Sequence, residues 1–340
     1  MTGYERIKAA LAGRETDKIP IMLHNFMMAA KEAGFSMQQF RESPENIASA
    51  FIKSVEKYQY DGILVDIDTV TLAGACGVNV DFPVDEPARS HGGFMHSYDM
   101  LPTLKAVDVG SYRYVQVWLE AVRLLKEHFG NEIYVRGNCD QAPFSLASMI
   151  RGTENWMMDF YITEEKLVFE LLDYCTEATS QFIKLMTQTG CDMVSNGDSP
   201  AGPAMIPADL YEKFAKPYTK KVVDVAHKED LEYVLHICGN TNIIIEHMIE
   251  TGADGLELDY KTDVHLAFDL MKDRCTLFGN VDPSGVLALG TPEQVRKETL
   301  ELLDVFSGTN RFVLNSGCAL PSSTTPGNIE MFIKTAREYK

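Results

Sequence analysis

The chain is expected to adopt an α/β fold, a (β/α)8 TIM barrel with loop insertions over the carboxyl-terminal face. Three observations predict it. Eight short β-like runs alternate with amphipathic helical patterns across all 340 residues. The runs are apolar inside but end in polar and metal-binding side chains. The sequence also lacks the Gly-x-Gly-x-x-Gly turn and the phosphate-loop signature that a doubly wound open sheet would usually carry.

The β-like runs are 19–23, 62–66, 133–136, 193–195, 232–235, 255–258, 276–278 and 312–314. Tyr60-Asp61-Gly62-Ile63, Gly190-Cys191-Asp192-Met193 and Gly252-Ala253-Asp254-Gly255 each close a helix and launch a strand. Helical periodicity covers 44–57, with Ser43 as cap and Pro44 at the first position, then 114–129, 164–187, 207–227, 242–250, 292–306 and 327–339. The stretch 77–112 breaks the repeat with Pro83, Pro87, Gly92, Gly93 and Pro102, so it is expected to be an insertion over the barrel mouth. Without a Ser-rich linker or low-complexity tract, 1–340 reads as a single domain.

Composition narrows the function. At 45% apolar residues a large core is available, and a formal net charge of −18 argues against nucleic acid or an anionic membrane as partner. No window approaches the ~18 uncharged apolar residues of a membrane span. The seven cysteines are odd in number and irregularly spaced, and Met1 to Lys8 opens a helix with no apolar signal core. A cytoplasmic protein with free thiols is the simplest expectation.

In a barrel of this kind chemistry sits at the strands' carboxyl ends. The first run ends in His24 and Asn25, followed by Phe26; the second in Asp66 and Asp68; the third in Asn138, Cys139 and Asp140; the fourth in Asn196 and Asp198. The fifth ends in His236 and Cys238, the sixth in Glu257 and Asp259, the seventh in Asn280 and Asp282, the eighth in Ser316 and Cys318. Residues i and i+2 of a strand share a face, so His236 and Cys238 project side by side. With Cys318 they offer two thiolates and an imidazole, leaving one tetrahedral position open, as in a catalytic zinc site. A carboxylate from Asp259 or Glu257 can fill that position and yield to substrate. Asp66, Asp68 and Asp198 are equally suited to capping the turns that follow them, and Cys139 suits a small packing position beside Pro143.

Particular residues carry a family resemblance. Glu5-Arg6-Ile7-Lys8-Ala9-Ala10-Leu11-Ala12-Gly13 with Asp17-Lys18-Ile19-Pro20, Ala142-Pro143-Phe144-Ser145-Leu146-Ala147 and Gly279-Asn280-Val281-Asp282-Pro283 resemble the uroporphyrinogen decarboxylase superfamily over nearly the whole chain. Asp66 matches that family's strand-two aspartate. Its arginine-rich stretch, its tyrosine and its late histidine are replaced by His24-Asn25-Phe26-Met27, Met149 and Cys318. His-x-Cys with a distant Cys instead resembles the zinc signature of the corrinoid-linked methyltransferase branch, where Asp259 matches the carboxylate that can take the fourth zinc position.

That resemblance implies Zn2+, and cobalamin carried by a separate corrinoid protein. Methyl transfer is expected from a methoxylated donor, such as an aryl methyl ether, to Co(I). Asp66 and Glu257 are then the proton-handling catalytic residues, and His24, Asn25, Phe26, Asn138 and Asn196 contact the small-molecule substrate. The alternative direction is from methylcobalamin to a thiol of the coenzyme M type. A divergent decarboxylase and a non-catalytic tetrapyrrole binder are the remaining alternatives.

Overall fold

A computed structural model describes residues 1–104 and 106–339; Lys105 of the insertion and the terminal Lys340 lie outside the described residues. One eight-stranded parallel sheet closes on itself in chain order. Its strands are β1 (Met22–Leu23), β2 (Gly62–Val65), β3 (Tyr134–Gln141), β4 (Met193–Gly197), β5 (Glu232–Ile237), β6 (Gly255–Leu258), β7 (Thr276–Val281) and β8 (Phe312–Ser316). Neighbours pair in parallel throughout, and the seam between first and last strands closes through the Ile21–Leu314 bridge. Each expected run therefore falls within or overlaps one barrel strand.

Alternation along the strands divides the interior into layers. Met22, Leu64, Tyr134, Met193, Val234, Phe278 and Val313 fill the amino-terminal end, plugged from outside the sheet by Ile7, Ala10 and Leu11 of the first helix, Gly3–Leu11. Two residues further along the same faces come His24, Asp66, Arg136, Ser195, His236 and Glu257, all buried. The apolar layer supplies the burial that drives closure, and the polar layer above it faces the open end.

Helical expectations fared unevenly. Pro44–Tyr58, Arg113–Phe129, Glu165–Thr187, Pro292–Phe306 and Pro326–Glu338 match them closely. The pattern at 207–227 is interrupted: Ala208–Leu210 passes through a wide π turn at Tyr211–Ala215 into Lys216–Lys228. Pro217 follows that turn, and its missing N–H cannot close an ordinary helical bond. At 242–250 only Ile245–Ile249 is α-helical. Phe26–Glu32, Met37–Glu42, Pro143–Arg151 and Thr153–Ile162 are helices that the pattern did not announce.

Within 77–112 a two-residue hairpin pairs Val80–Asp81 with Arg89–Ser90, followed by 3-10 turns at Tyr98–Thr103 and Val109–Ser111. The buried Arg41 guanidinium donates to the carbonyls of Pro83 and Glu86 at 2.6 and 2.7 Å, pinning this excursion. Pro87 thereby reaches the rim of the central cavity.

Candidate metal centre and active site

At the carboxyl end of β5, His236 Nε2 lies 3.0 Å from Cys238 Sγ. Across the mouth, Cys318 Sγ stands 3.7 Å from Cys238 Sγ and 3.9 Å from His236 Nε2. All three donor atoms lie within 4.8 Å of one another. Zinc bonds of ~2.3 Å to sulfur and ~2.0 Å to nitrogen at tetrahedral angles separate donors by roughly 3.5–3.8 Å, so the two contacts of Cys318 suit that ion and the His236–Cys238 pair would open by about half an ångström to hold it. Soft thiolates with one imidazole are also the donor chemistry zinc prefers.

The backbone sets each donor. His236 Nδ1 is 3.0 Å from the carbonyl oxygen of Glu257, so Nδ1 carries the proton and Nε2 is free to coordinate. Gly239 turns the chain after Cys238 with φ 87°, a conformation open to glycine. Gly317 allows the Cys318 loop to approach the strand ends: a Cβ there would stand 2.5 Å from Tyr260 N. A hydrogen bond from Cys318, helped by His236, pulls the Cys238 thiol down to about 3, and the same contact pushes Cys318 up. Burial opposes protonation of His236, but the Cys238 charge outweighs it and raises the imidazole to about 10. Without a cation, Cys238 is thus the group held as thiolate while His236 and Cys318 keep their protons, and a bound cation would displace those protons.

Beneath the triad runs a second network. His24 bridges two carboxylates, Nε2 to Asp66 Oδ2 at 2.8 Å and Nδ1 to Glu257 Oε1 at 3.2 Å. Burial would lower its pKa, but the bonds to Asp66 and Glu257 prevail and hold it up at about 9. Glu257 also accepts from Arg136 Nη1 at 2.5 Å. Burial acts to raise the Glu257 carboxyl, yet Arg136 and then His24 hold it well below the usual carboxylate range. Asn138 Nδ2 donates to Asp66 Oδ1 at 2.9 Å, and Asn138 Oδ1 accepts from Ser195 Oγ at 3.2 Å.

A cavity of about 250 Å3 joins both networks, lined by His24, Phe26, Asp66, Asn138, Asn196, His236, Cys238, Glu257 and Cys318 among others. It is smaller than the ~300–1,000 Å3 of sites for drug-sized ligands, a size suited to a small molecule. A larger groove of about 940 Å3 between the loops after β6 and β7 and the Pro292–Phe306 helix contains none of the three donors.

Two expected site residues stand elsewhere. Asp259 is outside the triad: Oδ2 accepts from Gly239 N at 2.8 Å and Oδ1 from Lys261 N at 2.9 Å, so the carboxylate braces the loops after β5 and β6 rather than joining the donors. Asn25 turns from the cavity to the Pro44–Tyr58 helix, donating to Ser54 Oγ at 2.9 Å. Asn196 lines the cavity, but its amide is occupied by the Cys139 carbonyl and the Tyr233 hydroxyl. Arg136 and Asp140 were not singled out as site residues, although both line the cavity. The alternation on β3 that carries Asn138 inward could have flagged Arg136 two residues earlier.

Comparison with known proteins gives a consistent picture. A family model described as uroporphyrinogen decarboxylase (URO-D) matches residues 2–339. Methylcobamide:CoM methyltransferases MtbA of Methanosarcina mazei and Methanosarcina acetivorans are 35% and 30% identical, each covering 100% of both chains. A uroporphyrinogen decarboxylase of a Synechococcus strain is 27% identical over 96% of this chain and 94% of its own. A solved methyltransferase from Methanosarcina mazei superposes with a TM-score of 0.90 over 99% of both chains at 23% identity, a likeness of fold.

Proposed function

Because this chain belongs to the uroporphyrinogen decarboxylase (URO-D) family, we propose that within it the protein is a corrinoid-dependent methyltransferase, moving a methyl group from a methylated corrinoid protein to a thiol. The single observation carrying this reading is the His236, Cys238 and Cys318 donor set opening onto the cavity. The two MtbA relatives support the direction, since their names give a methylcobamide as donor and CoM as acceptor. The same comparison displaces a methoxylated donor as the leading reading. The cavity's size suits a small acceptor.

His236, Cys238 and Cys318 would hold Zn2+, with Glu257 orienting His236 through its carbonyl. Bound there, zinc supplies Lewis acidity that lowers the pKa of an incoming thiol. The remaining chemistry belongs to the chain. His24, cationic between Asp66 and Glu257, keeps both carboxylates fixed at the cavity wall. Asp66 accepts the proton that the thiol releases and passes it to water. The sulfur lone pair forms the new S–C bond as the Co–C bond breaks, and that bond's electron pair leaves on cobalt as Co(I). Phe26 and Met27 line the mouth and exclude water from the reacting carbon. The insertion and the neighbouring strand-end loops form the rim that the corrinoid protein would approach.

The test combines metal content with turnover. Purified wild type should carry about one zinc per chain and demethylate methylcobalamin when a thiol is supplied, followed by cobalamin absorbance and by the thioether formed. Cys238→Ser and Cys318→Ser should each lose both zinc and turnover. Zinc-loaded wild type that fails to demethylate methylcobalamin with every thiol tested would refute the reading.

A further inference from the structure

Exposed apolar side chains are confined to one end of the barrel. Among the described residues, every large hydrophobic side chain that is exposed, Met1 apart, stands between a strand's carboxyl end and the helix that returns to the next strand. Apolar surface gathered on one face in this way marks a binding surface. Three of these side chains fall on consecutive loops beside the metal centre: Met205 after β4, Ile243 after β5 and Tyr260 after β6, which are 45, 64 and 41% exposed.

The three loops are bonded to the donor set and to one another. Ser199 Oγ accepts from Cys238 N at 3.4 Å, Gly239 N donates to Asp259 Oδ2 at 2.8 Å, and the Thr241 and Thr262 hydroxyls share a bond of 2.9 Å. Asn242, the residue before Ile243, accepts from Asp263 N at 2.9 Å. The same framework that holds the sulfurs therefore carries the exposed side chains. Around it the mouth is unequal. The insertion brings Pro87 to the cavity rim, whereas beyond Cys238 no residue of the loops after β5, β6 and β7 lines the cavity. Room for a small molecule thus opens toward β1 to β4, and Ile243 and Tyr260 stand on the strand ends past the thiols.

Methyl transfer requires the carbon on cobalt to come within about 3–3.5 Å of a sulfur at the metal, so the corrin ring must extend over whatever surrounds the two half-buried thiols. We propose that Met205, Ile243 and Tyr260 form the platform on which the corrin ring of the methyl donor rests, so that donor and thiol reach the metal from different sides. This rests on the methyltransferase reading above. A rigid macrocycle loses little freedom on such a surface. Its methyl-bearing edge suits Met205 and Ile243, and its amide side chains suit Tyr260, an aromatic face with a polar tip. The competing surface is the helix Thr153–Ile162, where Tyr161 is 71% exposed. That helix is held through the Arg151–Asp159 pair and lines no part of the cavity, so a ring seated there would not cover the thiols.

Hydrogen–deuterium exchange of the zinc-loaded protein with and without methylcobalamin reads the contact directly. Protection should appear in 199–206, 239–245 and 259–263; no protection, or protection confined to the insertion or to the helix Thr153–Ile162, would overturn the proposal. Steady-state transfer from methylcobalamin to 2-mercaptoethanesulfonate supplies a second reading. Ile243→Asp and Tyr260→Asp should each raise KM for methylcobalamin about tenfold, the scale of one apolar contact exchanged for a charge, with zinc content and thiol KM unchanged. Tyr161→Asp should leave both constants as in wild type. An unchanged methylcobalamin KM in folded Ile243→Asp and Tyr260→Asp variants, or an equal rise in Tyr161→Asp, would also overturn it; the wild-type exchange pattern decides even if a variant does not fold. Protection of the three loops in a protein that transfers no methyl to any thiol would defeat the methyltransferase reading and leave the platform standing. Transfer without that protection would do the reverse.

Discussion

His24 shows how a single side chain can report the state of the buried network. Its ordinary pKa is about 6.5, and the fold raises it to about 9 through Asp66 and Glu257. A raised pKa means folding favours the protonated form, so the stabilisation is complete below pH ~6.5 and is lost as pH rises through about 9. The unfolding free energy of zinc-loaded wild type relative to His24→Asn should therefore fall by on the order of 3 kcal/mol across that window, measured by urea titration. Glu257, depressed rather than raised, contributes nothing to that slope, because both its folded and unfolded forms are ionised there. The triad was legible at this scale because i, i+2 alternation and strand-end placement suffice to find it. Asp259 and Asn25 stand away from the places expected of them because one residue of rotation, or a loop amide such as Gly239 N, decides where a side chain is spent, and neither leaves a mark in the sequence.

Among the elements, the strand ends carry the candidate site. The loop after β8 is held close by Gly317, whose Cβ position meets Tyr260 N at 2.5 Å and Asn280 O at 3.1 Å. Gly317→Ala should displace Cys318, weaken zinc binding in a chelator competition and cost roughly 1–3 kcal/mol of stability by overpacking. Refolded variant with unchanged zinc affinity would show that the loop can yield without moving the thiol. The strands were readable because each is a short β-branched or apolar run, three of them opened by a Gly-Asp phrase. The wide turn at Tyr211–Ala215 and the slipped register in β3 were not, since both depend on how one element seats against its neighbours.

For the whole molecule, the barrel is tied at its amino-terminal end by one buried carboxylate. Asp61 accepts from Arg6 Nη1 at 2.8 Å, Arg337 Nη2 at 2.9 Å and Ile21 N at 2.8 Å, joining the first helix, the last helix and the segment entering β1. Asp61→Ala leaves two guanidiniums and an amide without it, and should lower the unfolding free energy by on the order of 3 kcal/mol. Zinc content of the folded fraction should stay intact, since the triad lies at the opposite end of the strands. Denaturant unfolding and metal analysis on one preparation check both halves of that expectation.

The spacing of the three donors along the chain bears on how the protein is made. His236 and Cys238 belong to the fifth strand, and Cys318 follows Cys238 by 80 residues. A nascent chain leaving the ribosome therefore presents a two-donor pair long before the third exists, and a pair holds a metal far less firmly than a closed set. If zinc fills the triad as proposed, its secure acquisition would await synthesis of the last strand, on the finished barrel and not on the growing one.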